Sequence, residues 1–457
     1  MSFLRKSMVH LAKVLFVCFT ITSSSASESP NIVLILLDDF GWNGMSVQMD
    51  DRVPDSKSDF YQTPHLDGIA ESGIRFTQGY SSSPICAPTR YAIQYGQSPS
   101  KLGRVSNFGH EAKKIDHGAL WSLPKAVKAA NPDYVTAHFG KWHIATMPAL
   151  VGYDESDGIT DNKEGFMTPG EAEHTVKYVM EDPKLSYSLS HRAADFISRQ
   201  NENGSPFFLQ VSYYANHTNV VCSPEEFARF SDLEPGEIHD NVHYAAMTAD
   251  LDNGIGILME RIEQLGIHDE TYVFVVADNG AIPGFPPIPN VERSFNHPLR
   301  MGKWDLNEGG IRVPFFVRGP GITSGTFNHT PVITHDLLPT IAALAGSEQP
   351  RQQGVEGIDL GAQLFHGSED PDRLLVINFP LKTAWEMHDA TTVVRKGKYK
   401  TIHYLEENRI ELFDLENDIS ELNDLADSMP EKVQDMDAEL ESYFKGIGRV
   451  NVLVTRD

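Results

Sequence analysis

The sequence predicts an α/β architecture: one large mixed, mostly parallel β-sheet sandwiched by helices, followed by a smaller C-terminal α+β subdomain of antiparallel strands and one helix. Three observations point there. The runs Ile32–Leu37, Tyr134–His138, Phe207–Tyr213 and Thr271–Ala277 are short and nearly continuous in apolar character, as in strands buried on both faces. Helix-like stretches separate them. From about Asp370 the apolar runs become shorter and closer together, and 457 residues are enough for one large domain and an appendage.

Taken in order, Arg5, Lys6 and Lys13 precede the apolar run Val14–Ile21, and Ser23-Ser24-Ser25-Ala26-Ser27 follows. Residues 1–27 therefore read as a signal peptide cleaved near Ala26, too short to span a membrane. The large domain is expected over 28–370. Its helices are expected at Ser122–Ala130, Leu189–Gln200, Asn241–Leu265 and His335–Ala345, the last capped by Thr334. The C-terminal subdomain, 371–457, should hold a four-stranded antiparallel sheet that includes Leu374–Asn378, Thr392–Arg395 and Tyr399–Tyr404. An amphipathic helix over Pro430–Phe444 completes it. No repeat or low-complexity tract follows the leader.

The composition, 40% hydrophobic and 22% charged, is that of a globular chain, and the net charge is −25. Loss of the leader removes three cations and no acid, so the mature chain is more acidic still. Such a surface argues against nucleic-acid binding, which needs cations. Of three cysteines, Cys18 lies in the leader, where the preceding Leu15-Phe16-Val17 lacks the small residues of a lipid-anchor site. No membrane anchor is expected. Cys86 and Cys222 remain, too few for a disulfide framework, and Cys222 reads as structural.

In parallel sheets, ligands bind beyond the carboxyl ends of the strands. Here each of the four runs is followed by polar residues: Asp38-Asp39, Gly140-Lys141-Trp142-His143, Asn216-His217 and Asp278-Asn279. Any one of these could be a turn, a cap or a solvated loop. Together they read as one site. Asp38, Asp39, Asp278 and Asn279 are hard oxygen donors without a Cys/His cluster of zinc spacing, which favours Ca²⁺ or Mg²⁺.

The sharpest motif is Cys86-Ala87-Pro88-Thr89-Arg90, ahead of a helix-like stretch Tyr91–Tyr95. From the residues alone, Cys86 is either a buried structural cysteine or a thiol activated by a nearby cation. The Cys-x-Pro-x-Arg pattern resembles the modification signature of the type I formylglycine-dependent sulfatases, in the alkaline phosphatase superfamily. The resemblance spans nearly the whole mature chain: Asn31–Gly41, Tyr61–Phe76, Gly140–His143, Asp278-Asn279-Gly280, Gly302–Pro314, Pro331–Gly346 and Leu412–Ala426 match family elements in order.

The resemblance implies an alkaline-phosphatase-like fold and a catalytic domain that removes sulfate from an ester. It implies that a maturation enzyme oxidises Cys86 to formylglycine (3-oxoalanine) before folding is complete. One Ca²⁺ would be held by Asp38, Asp39, Asp278 and Asn279 together with residue 86. The aldehyde hydrate would attack sulfur in line. Arg90 would hold the hydrate and the metal-side acids. Lys141, Lys303 and His217 would clamp the sulfonyl and bridging oxygens, with Lys303 or His217 as proton donor, and His143 would deprotonate the remaining hydroxyl. Two departures stand out. Asn216 and Asn219 lie beside His217 where the family commonly has prolines, and Tyr95-Gly96 replaces the usual Thr-Gly or Ser-Gly.

The leader and the acidic charge suggest a periplasmic or secreted bacterial enzyme, and the resemblance is nearest to polysaccharide sulfatases, including those for algal glycans such as ulvan, carrageenan or fucoidan. A sulfated glycan is the expected partner. Ala281–Arg300, rich in Pro and Gly, offers Arg293, His297 and Arg300 as readers of sulfate or uronate groups. The competing functions are a formylglycine-type phosphonate or phosphodiester hydrolase on the same scaffold, and a glycan-binding protein whose Cys86 stays unmodified. Asn216-His217-Thr218 and Asn328-His329-Thr330 are glycosylation-type triplets, the first of them in the expected active site.

Overall fold

The computed structural model describes residues 29–107, 115–166, 176–178, 180–284, 295–347, 354–381 and 389–451. The expected leader and Arg293 lie outside them. The main sheet consists of β1 (Asn31–Leu37), β2 (Ile74–Phe76), β3 (Val135–Gly140), β4 (Glu155–Ser156), β5 (Phe207–Ser212), β6 (Thr271–Ala277), β7 (Phe315–Arg318) and β8 (Thr326–Asn328). Their spatial order is β8-β2-β7-β6-β1-β5-β3-β4. The four strands expected from sequence are consecutive at its centre, and all their pairings are parallel. Six of the seven residues of β1 and all of β5 and β6 are buried, which is why these runs do not alternate. β7 is antiparallel to both β6 and β2, making the sheet mixed.

Two groups of helices sandwich the sheet. One comprises α1 (Pro64–Glu71), α4 (Ser186–Asn203) and α5 (Val242–Gln264); the other comprises α2 (Cys86–Tyr95), α3 (Leu123–Ala130) and α6 (Leu337–Leu344). Asn241 caps α5, its side chain accepting the Tyr244 N–H. α4 is longer than expected and ends at Gly204, at φ 67°. The Thr334 cap is corrected. Thr334 opens a 3₁₀ turn, Thr334–Asp336, and its Oγ1 accepts the Ser82 N–H at 3.0 Å. Asp336 instead takes the Ile333 N–H, at 2.8 Å. α2 begins at Cys86 itself, not at Tyr91. Pro88 sits in its first turn, where a missing N–H is not felt.

The C-terminal sheet is an antiparallel meander of β9 (Leu375–Phe379), β10 (Thr391–Lys396), β11 (Tyr399–Tyr404) and β12 (Arg409–Asp414), followed by α7 (Pro430–Gly446). Strand alternation gives it two apolar faces. Val376, Val394 and Leu412 pack on Met436, Leu440 and Phe444 of α7. Leu375, Ile377, Val393 and Ile402 pack instead with Ile85, Leu306 and Ile311. This second face therefore abuts both the start of α2 and the segment that follows Lys303.

Candidate active site

The parallel register places the ends of four strands at one level. Leu37 pairs with Ala277, while Leu36 and Gly140 both pair with Ser212. Just beyond, the backbone pairing continues: Asp278 N–H donates to Leu37 at 3.0 Å and Lys141 N–H to Ser212 at 2.9 Å. The residues leaving the sheet are thus fixed by the sheet itself. Asp39 adopts φ 51°, a left-handed conformation that Asp tolerates better than most residues. Its N–H reaches Asp278 Oδ1 at 3.2 Å.

The start of α2 lies over these ends. Cys86 Sγ is 3.6 Å from both Asp38 Oδ1 and Asp39 Oδ1, and ligand atoms of Asp38, Asp39, Cys86 and Asp278 all lie within 4.8 Å of one another. All four side chains are buried. Three cations face the three acids. Lys141 Nζ is 2.6 Å from Asp38 Oδ2, Lys303 Nζ is 2.7 Å from Asp39 Oδ2, and Arg90 Nη2 is 2.7 Å from Asp278 Oδ2. Arg90 also donates to the Lys141 carbonyl. One turn of α2 thus links the Cys86 motif to two strand ends.

Electrostatics separates the roles these groups can take. Burial pushes the Cys86 thiol far up despite Lys141 and Lys303 beside it, so the unmodified residue is no thiolate nucleophile at neutral pH. Burial opposes the Lys303 charge, but Asp39 and Asp38 more than offset it and raise its pKa. His143 and His217 are both held well below the ordinary histidine range, first by burial and then by the neighbouring cations. Both are therefore neutral at neutral pH. His217 Nδ1 donates to the Thr218 carbonyl, and its Nε2 faces Asp39 Oδ2 at 3.8 Å. Buried His143 Nδ1 has no hydrogen-bond partner among the described residues.

The donor set fits a hard divalent cation. Asp38, Asp39 and Asp278 are carboxylates, and Asn279 holds Asp39 Oδ1 through its Nδ2 at 2.8 Å. Asn279 Oδ1 is buried without a partner among the described residues, which a cation would satisfy.

Residues 30–347 match the sulfatase family, and residues 301–447 match the family described as N-sulphoglucosamine sulphohydrolase, C-terminal. This chain belongs to the sulfatase family. It is 31% identical to N-acetylgalactosamine-6-sulfatase of Homo sapiens over 76% of this chain and 67% of that protein. It is 26% identical to the ulvan-active sulfatase of Formosa agariphila, over 79% and 70%. The crystal structure of Ps i-CgsB in complex with k-i-k-neocarrahexaose superposes with a TM-score of 0.74 at 26% identity, covering 91% of this chain and 92% of that one. The sulfatase is a sulfuric ester hydrolase with the alkaline-phosphatase-like fold.

Asp38, Asp39, Cys86, Arg90, Lys141, His217, Asp278, Asn279 and Lys303 meet in this cluster. His143 lies on the loop that follows Lys141, and Arg293 lies outside the described residues. Sequence reasoning missed the supports. Thr160 Oγ1 accepts the Trp142 N–H at 2.9 Å and Asp157 Oδ2 accepts the Gly140 N–H at 2.8 Å, so both brace the Lys141–His143 loop. They sit in an aperiodic stretch that nothing in the sequence marks. Asn296 bonds both the N–H and the carbonyl of Ala281, and the Met301 carbonyl, tying the two loops that carry Asn279 and Lys303. Tyr95 is buried, its hydroxyl 2.6 Å from His117 Nδ1. Arg300 is half-buried and already engaged: its guanidinium donates to the Glu421 carbonyl at 3.1 Å and lies 3.8 Å from Glu411. Cys86 and Cys222 are both free and buried. Asn216 and Asn328 are each 1% exposed, so neither triplet can display a glycan on the folded protein.

Proposed function

We propose that this sulfatase hydrolyses sulfate monoesters of a sulfated polysaccharide or oligosaccharide, with residue 86 in its formylglycine form and one Ca²⁺ held by Asp38, Asp39, Asp278 and Asn279. The observation that carries the reading is the buried meeting of Cys86, three carboxylates and three cations at the ends of parallel strands. When present, the ion would supply Lewis-acid charge stabilisation at the sulfonyl oxygens, and the hydrated aldehyde the oxygen nucleophile.

The chain's own residues do the rest. Lys141 and Lys303, now on the outer oxygens of Asp38 and Asp39, turn to the sulfonyl oxygens when substrate enters. Arg90 keeps Asp278 oriented and braces the start of α2. Lys303 Nζ gives the leaving alkoxide its proton at the bridging oxygen, and His217, neutral and with its hydrogen on Nδ1, lines that position. His143 accepts the proton of the remaining hydroxyl as sulfate departs.

Resemblance to a sulfatase named as ulvan-active, and to a structure holding a neocarrahexaose, supports an algal polysaccharide such as ulvan, carrageenan or fucoidan as substrate. We read residues 1–27 as the secretory leader, 28–370 as the catalytic domain and 371–457 as the C-terminal subdomain, of a periplasmic or secreted enzyme. Mass spectrometry of the peptide containing residue 86, from the native host, tests the reading: formylglycine is expected, and only unmodified cysteine would overturn it. A desulfation panel of glycans tests the substrate class.

A further inference from the structure

A fully buried charge cluster outside the site joins the C-terminal sheet to the segment carrying Lys303. Lys400, on β11, is fully buried, and its Nζ lies 2.9 Å from Glu308 Oε1 and 2.7 Å from Glu421 Oε1. Glu421 Oε2 accepts the Glu308 N–H at 2.8 Å. The second oxygen of Glu308 accepts the Tyr80 hydroxyl at 2.9 Å and lies 3.4 Å from Arg312. Burial works against the Glu308 charge, but Lys400 and Arg312 hold its carboxyl below the ordinary range. Burying so many charges is costly unless their geometry is tightly set, so this arrangement fixes Glu308 in place.

Glu308 begins the short turn Glu308–Ile311, and that turn touches the site's backbone directly. Gly310 accepts the Gly280 N–H at 3.0 Å, and Gly309 N–H donates to Arg300 at 2.9 Å. The approach is so close that a Cβ on Gly280 would lie 1.8 Å from the Gly309 carbonyl oxygen. Gly280 adjoins Asn279, whose Nδ2 holds Asp39 and the Gly280 carbonyl. A shift of the turn therefore moves Asn279 and the Lys303 loop together.

We propose that Lys400 and Glu421 are positioning residues for the oxygen-donor site, acting through Glu308 and the Gly309-Gly310 backbone on Asn279 and Lys303. The proposal rests on the reading of that site as a Ca²⁺-dependent sulfatase centre. Groups that orient metal ligands from behind typically change metal affinity about 10–100-fold when removed.

The test is calorimetric titration of Ca²⁺ into metal-stripped wild-type protein and into Lys400→Met, Lys400→Arg and Glu421→Gln variants. Melting of each metal-free protein and aryl sulfate turnover across Ca²⁺ concentrations are measured alongside. For Lys400→Met a Kd for Ca²⁺ raised about 10-fold or more is expected, with turnover lost at low Ca²⁺ and recovered in excess. Lys400→Arg, which keeps the cation, should fall between. Glu421→Gln can still accept the Glu308 N–H and should be milder; it decides the matter if Lys400→Met does not fold. Wild-type Ca²⁺ affinity and kcat/KM in folded variants, with only the melting temperature lowered, would overturn the proposal. Wild-type protein that neither binds Ca²⁺ nor cleaves sulfate would instead overturn the reading of the site.

Discussion

At the scale of single residues, the site pairs each acid with a cation, so removing one member strands the other. Asp38→Ala leaves buried Lys141 without its carboxylate, and is expected to abolish turnover and lower stability by about 3–5 kcal/mol, read by denaturant unfolding. Lys141→Ala, Lys303→Ala and His143→Ala should each reduce kcat/KM on the order of 10²-fold, measured with an aryl sulfate. A near-wild-type His217→Ala enzyme would show that its unusual asparagine flanks mark a different role. His138 provides a pH test away from the chemistry. Burial, then Arg90, lowers its pKa to about 3. A histidine depressed when folded leaves stability intact above its unfolded pKa of about 6.5, and stability is lost as pH falls from there toward about 3. At pH 5 that loss is about 2 kcal/mol, so His138→Gln should lose correspondingly less than wild type between pH 7 and 5.

At the scale of elements, the sheet's register does the aligning, and the turns leaving it are where the geometry is tight. Gly140, the last residue of β3, adopts φ 93°, and a Cβ there would lie 2.0 Å from the Ser212 carbonyl oxygen that accepts the Lys141 N–H. Gly140→Ala is expected to cost about 1–3 kcal/mol for the strained backbone and to lower turnover by moving Lys141. An unchanged unfolding midpoint and rate would remove that account. The four central strands were legible because strands buried on both faces leave an unbroken apolar run. The start of α2 was not: Pro88 reads as a helix break, and only its place in the first turn makes it compatible with the helix.

At the scale of the whole molecule, a net charge of −25 opposes a polyanionic substrate, and the cations that meet it are local. Raising ionic strength from about 0.01 M to about 0.15 M shortens the Debye length from about 30 Å to about 8 Å. KM for a sulfated polysaccharide is therefore expected to fall over that range, with less change for an aryl sulfate. Arg293→Ala should raise KM for the glycan alone. Arg300→Ala should affect both substrates, because Arg300 braces the loop carrying Lys303 against Glu421 and Glu411. A purely glycan-specific effect of Arg300→Ala would contradict that packing.

The sequence by itself determined the fold class, the parallel centre of the sheet and the identity of the groups at its edge. These follow from local signals: apolar runs, the polar residues that end them, and the spacing from Cys86 to Arg90. Only the tertiary structure decided which groups meet. Asp38 and Asp278 are 240 positions apart in the chain, yet strand pairing sets Leu37 beside Ala277. Asp157, Thr160, Asn296, Lys400 and Glu421 support the site through contacts between distant segments. A residue that acts by holding a backbone group elsewhere carries no periodicity or motif of its own, so its role exists only once the chain has folded.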